Sequence, residues 1–448
     1  MHTTQPILEL GPEFYDSVEP AAFLAAIPRF CNRRWAERVG LGTVEWEKHF
    51  ARFEPLAGNL PEPLALRYHG HQFRHYNPDL GDGRGFLFAQ LRDDQGRLLD
   101  LGTKGSGTTP WSRRGDGRLT LKGGVREVLA TEMLEALGVN TSKSFALFET
   151  GEELVRGDEP SPTRSAVLTR LSHGHIRIGS FQRLAYLSDA DGLTALTRYC
   201  LTHLYGEPGD DPARLLELAC QATAELAASY IAAGFVHGVL NSDNINVSGE
   251  SFDYGPWRFA AEWDEGLTAA YFDEGGLYAF GRQPEAIQWD VAQLAGSLAL
   301  NGDATDLSAQ LATWPARFEA ALFERLLARL GVAEGGGDED RELVSALLGA
   351  LRTRKVGIDR LFFDWRGGRI PTGAAYSGAA FTRLATALGG REQPVTHAYW
   401  SDAAPCSMLI DEVEAIWSAI AERDDWAPFE AKIVAIRRMG EAISDSAA

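Results

Sequence analysis

A short stretch of the chain, GFVHGVLNSDNINVSGESFDYG, contains polar side chains at a spacing that suits chemistry on phosphates. Asn244 and Asp253 offer side-chain oxygens, and Mg²⁺ binds such oxygens together with the phosphates of a nucleotide. Gly255 follows Asp253 after one tyrosine and leaves the backbone free to turn at that point. The stretch therefore indicates a magnesium-dependent nucleotide site.

The same spacing follows the catalytic loop of protein kinases, except at one position. In kinases an HRDLxxxN segment is followed by DFG, and the aspartate of HRD accepts the proton of the substrate. His237, Leu240, Asn244 and Asp253 match this pattern, whereas Val239 stands where the proton acceptor belongs. Since valine accepts no proton, the usual kinase arrangement does not account for this loop.

Two upstream segments supply candidate phosphate ligands. The turn LGDGRG contains Gly81, Gly83 and Arg84, and glycine backbone N–H groups can approach phosphate oxygens closely. Lys104 ends a predicted strand and Glu127 begins the next helix, which is the kinase lysine–glutamate arrangement. Taken singly, each feature is also typical of a hairpin turn, a surface lysine or a first-turn glutamate. Their joint occurrence in this order favours a nucleotide site.

A basic segment lies between the lysine strand and the glutamate helix of an otherwise acidic chain. The chain has 43 Lys and Arg against 62 Asp and Glu, a net charge of -19 that disfavours nucleic-acid and anionic-membrane partners. The basic segment is either a solvated loop or a local phosphate contact, and both interpretations stay open. Its cationic residues are Arg113, Arg114, Arg118, Lys122 and Arg126.

Composition and cysteine usage suit a cytoplasmic globular protein. The N-terminal sequence lacks a basic start followed by an apolar segment, and no apolar run approaches the length of a membrane span, so a cytoplasmic location is expected. Cys31, Cys200, Cys220 and Cys406 lie far apart without a CxxC pair. This spacing argues against a zinc ribbon or a disulfide framework and predicts buried thiols.

Two histidine groups invite a metal-site interpretation that their surroundings do not favour. Neither group has the cysteine or carboxylate companions of a zinc site, so loop or strand packing is predicted. The first group is His69, His71 and His75, and the second is His173 and His175.

Residue periodicity predicts an α+β chain with a small sheet part and a larger, mainly helical part. A helix is predicted over 21–39, a strand hairpin over 86–104, a helix over 125–139 and two more strands over 144–150 and 165–172. The segment GVAEGGGDEDRE is predicted to be a linker or an exposed loop. The expected domains are an N-terminal extension (1–67), a sheet lobe (68–171), a helical lobe (172–330) and a helical C-terminal region (331–448).

Long motifs in the chain resemble those of the SelO (selenoprotein O, YdiU) family of pseudokinases. The resemblance is dense over residues 68–300, and it rests on YHGHQF, NPDLGDGRG, DLGTKGSGTTPWSRRGDGRLTLKGGVRE, LTRLSHGHIRIGSFQRL, GFVHGVLNSDN and DYGP. It implies a protein-kinase-like bilobal fold. It further implies transfer of AMP, and in bacterial members also UMP, from a nucleoside triphosphate to protein hydroxyls.

The resemblance also implies roles for individual residues, with ATP bound flipped relative to kinases. Asp243 matches the proton acceptor, with an Asx-type turn as its alternative role, and Glu127 matches the partner of Lys104. Asp290 matches a helix aspartate that braces the catalytic loop. Asn244 and Asp253 match the ligands of Mg²⁺, for which Mn²⁺ is an alternative. The implied nucleotide-binding residues are Gly81, Gly83, Arg84, Lys104, Asp116, Gly117, Arg170, Arg177 and Asp253.

The leading hypothesis is a metal-dependent protein adenylyltransferase that uses ATP, or UTP, as co-substrate. Its partners would be proteins that present a Ser, Thr or Tyr hydroxyl. Neither nucleic acid nor a membrane is expected as a partner, and a monomer is compatible with the sequence. Two alternatives stay open, namely a phosphotransferase acting on a small molecule or protein, and a nucleotide-binding scaffold without catalysis.

Overall fold

The structure is a computed structural model that describes residues 5–157, 159–333 and 335–445. Its main sheet is antiparallel and runs in the order β1-β3-β6-β7-β10-β9-β2, with β8 paired to β10. The strands are β1 (Tyr15–Ser17), β2 (Ile27–Cys31), β3 (Leu64–Leu66), β4 (Gly70–Gln72), β5 (His75–Asn77), β6 (Leu87–Arg92), β7 (Leu98–Lys104), β8 (Leu119–Thr120), β9 (Lys143–Leu154), β10 (Thr163–Ser172), β11 (Phe235–Val236) and β12 (Arg258–Phe259).

Helices dominate the chain after the main sheet, and the predicted mixture of a sheet with many helices is confirmed. The α-helices are α1 (Arg33–Arg38), α2 (Trp46–Phe50), α3 (Leu121–Ala136), α4 (Ile178–Tyr186), α5 (Ala190–Tyr199), α6 (Pro212–Ala233), α7 (Gln283–Leu298), α8 (Ala304–Ala312), α9 (Trp314–Leu330), α10 (Gly337–Leu351), α11 (Ile358–Asp364), α12 (Ala379–Leu388), α13 (Ile410–Arg423) and α14 (Ala427–Ser444).

The main sheet buries both of its faces. Successive side chains of its strands point to opposite faces, and each face packs in a separate hydrophobic cluster. In β10, Ala166 and Leu168 pack on the side of α3, whereas Val167 and Leu171 pack on the opposite side. The opposite side is covered by aromatic residues of the first part of the chain, Phe23, Trp35, Phe50 and Phe53 among them. Alternation of this kind follows from the period of two in a strand. The predicted hairpin is β6 and β7, and α3, β9 and β10 also lie where the sequence predicts them.

The first 67 residues contribute strands to the main sheet, and one element there differs from the prediction. The helix predicted over 21–39 is wrong, because β2 occupies Ile27–Cys31 and only Arg33–Arg38 is helical. Pro28 cannot donate an intrahelical hydrogen bond, and β2 instead pairs with the edge of β9. The Asn32 side chain then accepts a hydrogen bond from Trp35 N at 3.4 Å and starts α1.

The second half of the segment predicted as a linker or an exposed loop is the start of a helix. Of GVAEGGGDEDRE, Glu334 lies outside the described residues, and α10 begins at Gly337. Asp338, Glu339 and Asp340 occupy the first turn of α10, where the helix dipole stabilises negative charge. The acidic run therefore lies in the first turn of a helix, whereas the predicted domain boundary near residue 330 stays a prediction.

The C-terminal helices pack back against α3, although they are distant from it in sequence. Arg437 of α14 forms a bidentate ion pair with Glu132 of α3, with both N–O distances at 2.8 Å. Lys122 of α3 contacts Glu414 of α13 at 2.7 Å. None of the helices in the described ranges is both long and apolar enough to cross a membrane.

Candidate active site

A cleft of about 690 Å³ lies between the main sheet and the helical part, and it brings together residues from distant segments. Val239, at the position of the kinase proton acceptor, also lines it. Glu127 lies behind the cleft wall, where it contacts Lys104. The other sequence-predicted site residues all line the cleft, namely Gly81, Gly83, Arg84, Lys104, Asp116, Gly117, Arg170, Arg177, Asp243, Asn244 and Asp253.

Lys104 ends β7 and is held between two carboxylates. Its ammonium forms ion pairs with Glu127 of α3 and with Asp253, the latter at 2.7 Å. Lys104 and Glu127 are 4% and 1% exposed. The position of Glu127 depends on where α3 begins, and Thr120 fixes that start by accepting a hydrogen bond from Gly123 N at 3.1 Å. The strand and the helix thus fix one cation at the inner wall of the cleft.

Arg170 lies beside Lys104 because of the register between β7 and β10. Leu168 is opposite Lys104, and Arg170 is opposite Gly102, so Lys104 and Arg170 share one face of the main sheet. Arg170 is buried, and its Nε has no hydrogen-bond partner among the described residues. A buried guanidinium with a free donor is suited to binding an anion in the cleft.

Asp253 has an uncommon backbone conformation. Its φ is +65°, in the left-handed region, which costs on the order of 1–3 kcal/mol for a non-glycine residue. Ion pairs with Lys104 at 2.7 Å and Arg170 at 3.5 Å stabilise this conformation. Burial opposes ionisation of Asp253, but the charges of Lys104 and Arg170 outweigh it and hold the pKa well below its ordinary value. Asp253 is therefore an anion at neutral pH, surrounded by cations.

Asp243 is the second carboxylate of the cleft and differs from Asp253 in its environment. It lies in the single-turn helix Ser242–Asn244 and is 7% exposed. Burial raises the pKa of Asp243 to about 6, although the nearby Arg177 charge opposes the shift. Its Oδ1 is buried and has no hydrogen-bond partner among the described residues. Asp243 thus lines the cleft and also has one buried oxygen, on the side of Gly70, that no other group contacts through a hydrogen bond in the described ranges.

Arg177 connects the Asp243 loop to the glycine turn. Its Nη1 donates to the Asp243 backbone carbonyl at 2.9 Å, and its Nη2 contacts Asp82 Oδ1 at 3.2 Å. Its guanidinium also lies over the ring of Tyr68, 4.4 Å from the centroid. Sequence reasoning missed Asp82 and Tyr68. For Asp82 a signal existed, because it stands between Gly81 and Gly83.

The basic segment divides into two groups with different partners. Arg113, Arg114 and Arg118 line the cleft, and Arg118 is at the same time held by an ion pair with Glu152 at 2.9 Å. Lys122 contacts Glu414 instead, and Arg126 donates to the Trp257 carbonyl at 3.1 Å. Lys122 and Arg126 therefore do not belong to a solvated loop, and phosphate contact by the cleft-lining arginines stays a prediction.

Arg156 is a second residue that sequence reasoning missed. It lies between β9 and β10 and reaches the cleft, where it forms an ion pair with Asp116 at 2.8 Å. No motif surrounds Arg156 in the sequence, and its position follows only from the folding of the β9–β10 hairpin over the loop that contains Asp116. The partner charge lowers the pKa of Asp116, although burial opposes this shift.

Comparison with known proteins identifies the family. The family model described as protein adenylyltransferase SelO matches residues 1–370 of this chain. The chain belongs to the SelO family. It is 43% identical over 453 residues to the protein nucleotidyltransferase YdiU of Gloeobacter violaceus, an alignment that covers 96% of this chain and 93% of the relative.

Two further relatives extend the SelO comparison. The protein nucleotidyltransferase YdiU of Synechococcus elongatus is 41% identical and aligns over 97% of this chain and 95% of its own length. The protein of that name from Roseobacter denitrificans is 33% identical, with coverages of 93% and 89%. The family resemblance predicted from the motifs is confirmed. The SelO match also includes the first 67 residues, which lie outside the motif-rich part of the sequence.

Gly81, in the glycine turn of this SelO-family chain, is required by packing. A Cβ at this position would lie 2.4 Å from the Trp111 ring. The ring cannot easily move, because its Nε1 donates to Asp16 Oδ2 at 2.9 Å. Close approach of Gly81 to a phosphate stays a prediction, whereas its contact with Trp111 explains the absence of a side chain.

A Gly81→Ala variant tests this explanation. We expect it to be less stable by about 1–3 kcal/mol, because the Trp111 ring must shift to admit the methyl group. The measurement is the free energy of unfolding in urea. Gly275→Ala is the matched control, since a Cβ there would meet nothing within 4 Å. Equal unfolding free energies for the two variants would contradict the packing argument.

The loop before Asp243 is hydrogen-bonded to a glutamine at the start of α7, which sequence reasoning missed. Gln283 accepts from His237 N at 2.9 Å and donates to the Phe235 carbonyl at 2.8 Å. Asp290 is buried on α7, but its Oδ2 has no hydrogen-bond partner among the described residues. Burial raises the pKa of Asp290 well above its ordinary value. Gln283 therefore holds this loop through hydrogen bonds, and a bracing role of Asp290 stays a prediction.

The histidine groups are engaged in hydrogen bonds within the fold. His69 Nδ1 contacts Tyr76 Oη at 2.7 Å, and His71 Nδ1 contacts Gln182 Nε2 at 2.6 Å. The two ring nitrogens of His173 contact backbone carbonyls at 2.7 and 2.8 Å. These contacts link β4, α4 and β10 to their neighbours. In the described ranges, no three His, Cys, Asp or Glu residues form a group suited to a metal ion.

Proposed function

We propose that this SelO-family chain transfers AMP, or UMP, from ATP or UTP to Ser, Thr or Tyr hydroxyls of proteins and releases pyrophosphate. The observation that supports this best is the distribution of charge in the cleft. Cations surround Asp253 at one side of it, and Asp243, a carboxylate that forms no ion pair at such short distances within the described ranges, lies at another. Both carboxylates and Val239 line the same space.

The proposed nucleotide pose is flipped relative to that of kinases. In the kinase pose the γ-phosphate would meet position 239, where valine can accept no proton. In the flipped pose Lys104, Arg170 and Arg177 bind the β- and γ-phosphates, and the α-phosphate faces Asp243. Each charge-assisted hydrogen bond contributes about 1.5–3 kcal/mol, so several of them would determine the pose. Asp116 and Gly117 would hold the remainder of the nucleotide.

The proposed reaction uses Asp243 as the proton acceptor. The acceptor hydroxyl attacks the α-phosphorus, its proton passes to Asp243, and a new phosphate ester bond forms. The bond between the α-phosphorus and the bridging oxygen to the β-phosphate breaks, and its electron pair leaves with pyrophosphate. Lys104, Arg170 and Arg177 stabilise the charge that develops on this leaving group. Glu127 keeps the Lys104 ammonium in place through their ion pair.

The donor atoms of the cleft fit Mg²⁺, with Mn²⁺ as an alternative. Asn244 and Asp253 present oxygens to the cleft, and the Asp253 side chain is 28% exposed and therefore accessible. Mg²⁺ usually takes one or two protein ligands and completes its shell with phosphate oxygens and water. A bound metal would neutralise phosphate charge, and Asn244 and Asp253 would hold it.

A kinase-like bilobal fold is proposed as the framework of this site. The antiparallel sheet with α3, and the Lys104–Glu127 pair between them, support a small lobe, and the helices around α6 support a larger one. The boundaries predicted near residues 67, 171 and 330 stay proposals. A cytoplasmic location and protein substrates also stay proposals.

Two labelled nucleotides test the proposed function. The protein is incubated with Mg²⁺, a protein extract and ATP labelled at either the α- or the γ-phosphate. We expect label on protein only from the α position, and α-labelled UTP tests the UMP alternative. Protein labelled only from γ-ATP would identify a protein phosphotransferase. Label from neither position, with nucleotide binding detected by a thermal shift, would favour the scaffold or a phosphotransferase that acts on a small molecule.

A further inference from the structure

The hairpin of β4 and β5 packs against the loop that contains Asp243. Its first residue, Gly70, lies so close that a Cβ there would be 2.9 Å from the Asp243 Cβ. Gln72, at the end of β4, lines the cleft together with Asp243. This hairpin therefore forms one side of the site and can influence where the Asp243 carboxylate lies.

A closed ring of hydrogen bonds joins the hairpin to the residue before Asp243. His71 N donates to Ser242 Oγ at 2.7 Å, and Ser242 Oγ donates to Gln182 Oε1 at 2.6 Å. Gln182 Nε2 closes the ring, with its contact to His71 Nδ1 at 2.6 Å. The three residues come from β4, the Asp243 loop and α4, so the ring connects three separate elements.

The ring has one consistent direction of donation. Ser242 Oγ accepts from a backbone N–H and must therefore donate its proton to the Gln182 carbonyl oxygen. The Gln182 amide then donates to His71 Nδ1, which requires a neutral imidazole. Burial lowers the pKa of His71, consistent with the neutral form. Ser242 and Gln182 are 0% and 5% exposed, so water cannot readily replace a missing partner.

A second contact fixes the next residue upstream. Asn241 Oδ1 accepts from Phe73 N at 3.0 Å and from Tyr278 Oη at 2.6 Å. The two residues that precede Asp243 are therefore both bound by side-chain hydrogen bonds to the hairpin. Gln182 lies on α4, outside both the hairpin and the Asp243 loop, and it does not line the cleft.

We propose that Gln182 is a positioning residue for Asp243, which it holds in place through Ser242 and His71. The inference rests on the proposed function, because it takes Asp243 as the group that accepts the hydroxyl proton. Gln182 does not line the cleft, and within the described ranges its side chain forms hydrogen bonds only to Ser242 and His71. Loss of the ring would leave Asp243 free to move away from the acceptor hydroxyl, while the cations around Asp253 stay in place.

Gln182→Leu is the main test, because leucine has a similar size but no amide. We expect kcat for transfer from α-labelled ATP to fall about 10–100-fold, as a misplacement of about 1 Å in a catalytic group produces. The KM for ATP should stay unchanged, since the phosphate-binding cations are untouched. Gln182→Glu should recover most of the rate. One of its oxygens can accept from Ser242, and the other can accept from the Nδ1–H tautomer of His71.

Gln221→Leu is the matched control, because Gln221 is an exposed glutamine of α6 that contacts only Glu225 in its own helix. It should leave kcat and KM at their wild-type values. A Gln182→Leu protein with wild-type kcat would overturn the inference. An equal fall in kcat for Gln182→Leu and Gln182→Glu would also overturn the inference. A change that raises only the KM for ATP and leaves kcat unchanged would overturn it as well.

Ser242→Ala gives an independent measurement if Gln182→Leu does not fold. It breaks the same ring from the loop side and should lower kcat to a similar extent without changing the KM for ATP. In the double variant Gln182→Leu and Ser242→Ala, the fall in kcat should be smaller than the product of the two single falls, because both substitutions break the same hydrogen-bond network. Multiplying losses would overturn the inference. If the wild-type protein transfers no α label, the proposed function fails, whereas α transfer by the wild type with full kcat in both variants removes this inference alone.

Discussion

The Lys104→Met variant is expected to transfer nucleotide at least about 100–1000-fold more slowly than the wild-type protein, the usual effect of removing one group that stabilises developing charge. Lys104 is buried and contacts both Glu127 and Asp253. In the proposed pose it neutralises the pyrophosphate that leaves, and methionine keeps much of the side-chain volume without the charge. The rate of label transfer from α-labelled ATP measures this effect.

The same substitution also affects stability, and the two effects can be separated. Removing one partner of a buried ion pair costs about 3–5 kcal/mol, because the other charge is left uncompensated. The double variant Lys104→Met and Glu127→Gln should recover part of the loss in Tm, because the Glu127 charge is removed as well, but none of the transfer rate. Lys48→Met is the matched control, since Lys48 is a partly exposed lysine outside the cleft lining whose ion pairs are with the surface residues Glu45 and Glu54. A Lys104→Met protein that folds and transfers at the wild-type rate would exclude the proposed role of Lys104.

The Asp243→Asn variant is expected to lose about 10²–10⁴-fold in transfer rate, the usual contribution of a positioned general base. Asparagine keeps the shape of the side chain but accepts no proton at neutral pH. Binding of ATP should be retained, because the cations that bind the phosphates are not changed. Label transfer and a nucleotide-dependent thermal shift measure the two properties. Asp338→Asn, at an exposed first-turn position of α10, should change neither.

Asp243 should also make the nucleotide-free protein less stable as the pH rises. Its folded-state pKa, raised by burial to about 6, lies above the ordinary value of 3.8, so folding favours the protonated carboxyl. The contribution of the protonated Asp243 carboxyl to the free energy of unfolding is fully present below pH 3.8 and is lost as the pH rises through about 6. Asp243→Asn cannot ionise, so its Tm should exceed that of the wild type at pH 8, and the difference should shrink toward pH 4. A Tm for Asp243→Asn below that of the wild type at pH 8 would contradict the argument that ionisation of the buried Asp243 destabilises the fold.

Several parts of the fold follow from local patterns, and the sequence predicts them well. Short apolar runs bounded by polar turns predict β6, β7, β9 and β10, and helical periodicity ended by Gly138 predicts α3. The helix predicted over 21–39 fails because its apolar spacing is compatible with more than one structure. Pro28 and the free edge of β9 select a strand there. A periodic pattern is therefore reliable only where no neighbouring strand competes for the same residues.

For the candidate site, the sequence by itself determined the types and order of the groups that could bind a nucleotide, together with the absence of an acceptor at Val239. Only the tertiary structure decided how these groups pair and which of them are buried. The Arg177–Asp82 and Lys122–Glu414 contacts join residues 95 and 292 positions apart, and no local pattern encodes them. The positive φ of Asp253 and the raised pKa of Asp243 likewise depend on charges and packing supplied by other segments. Dihedral preferences and periodicity act over a few residues, whereas burial and charge pairing arise only when the whole chain is packed.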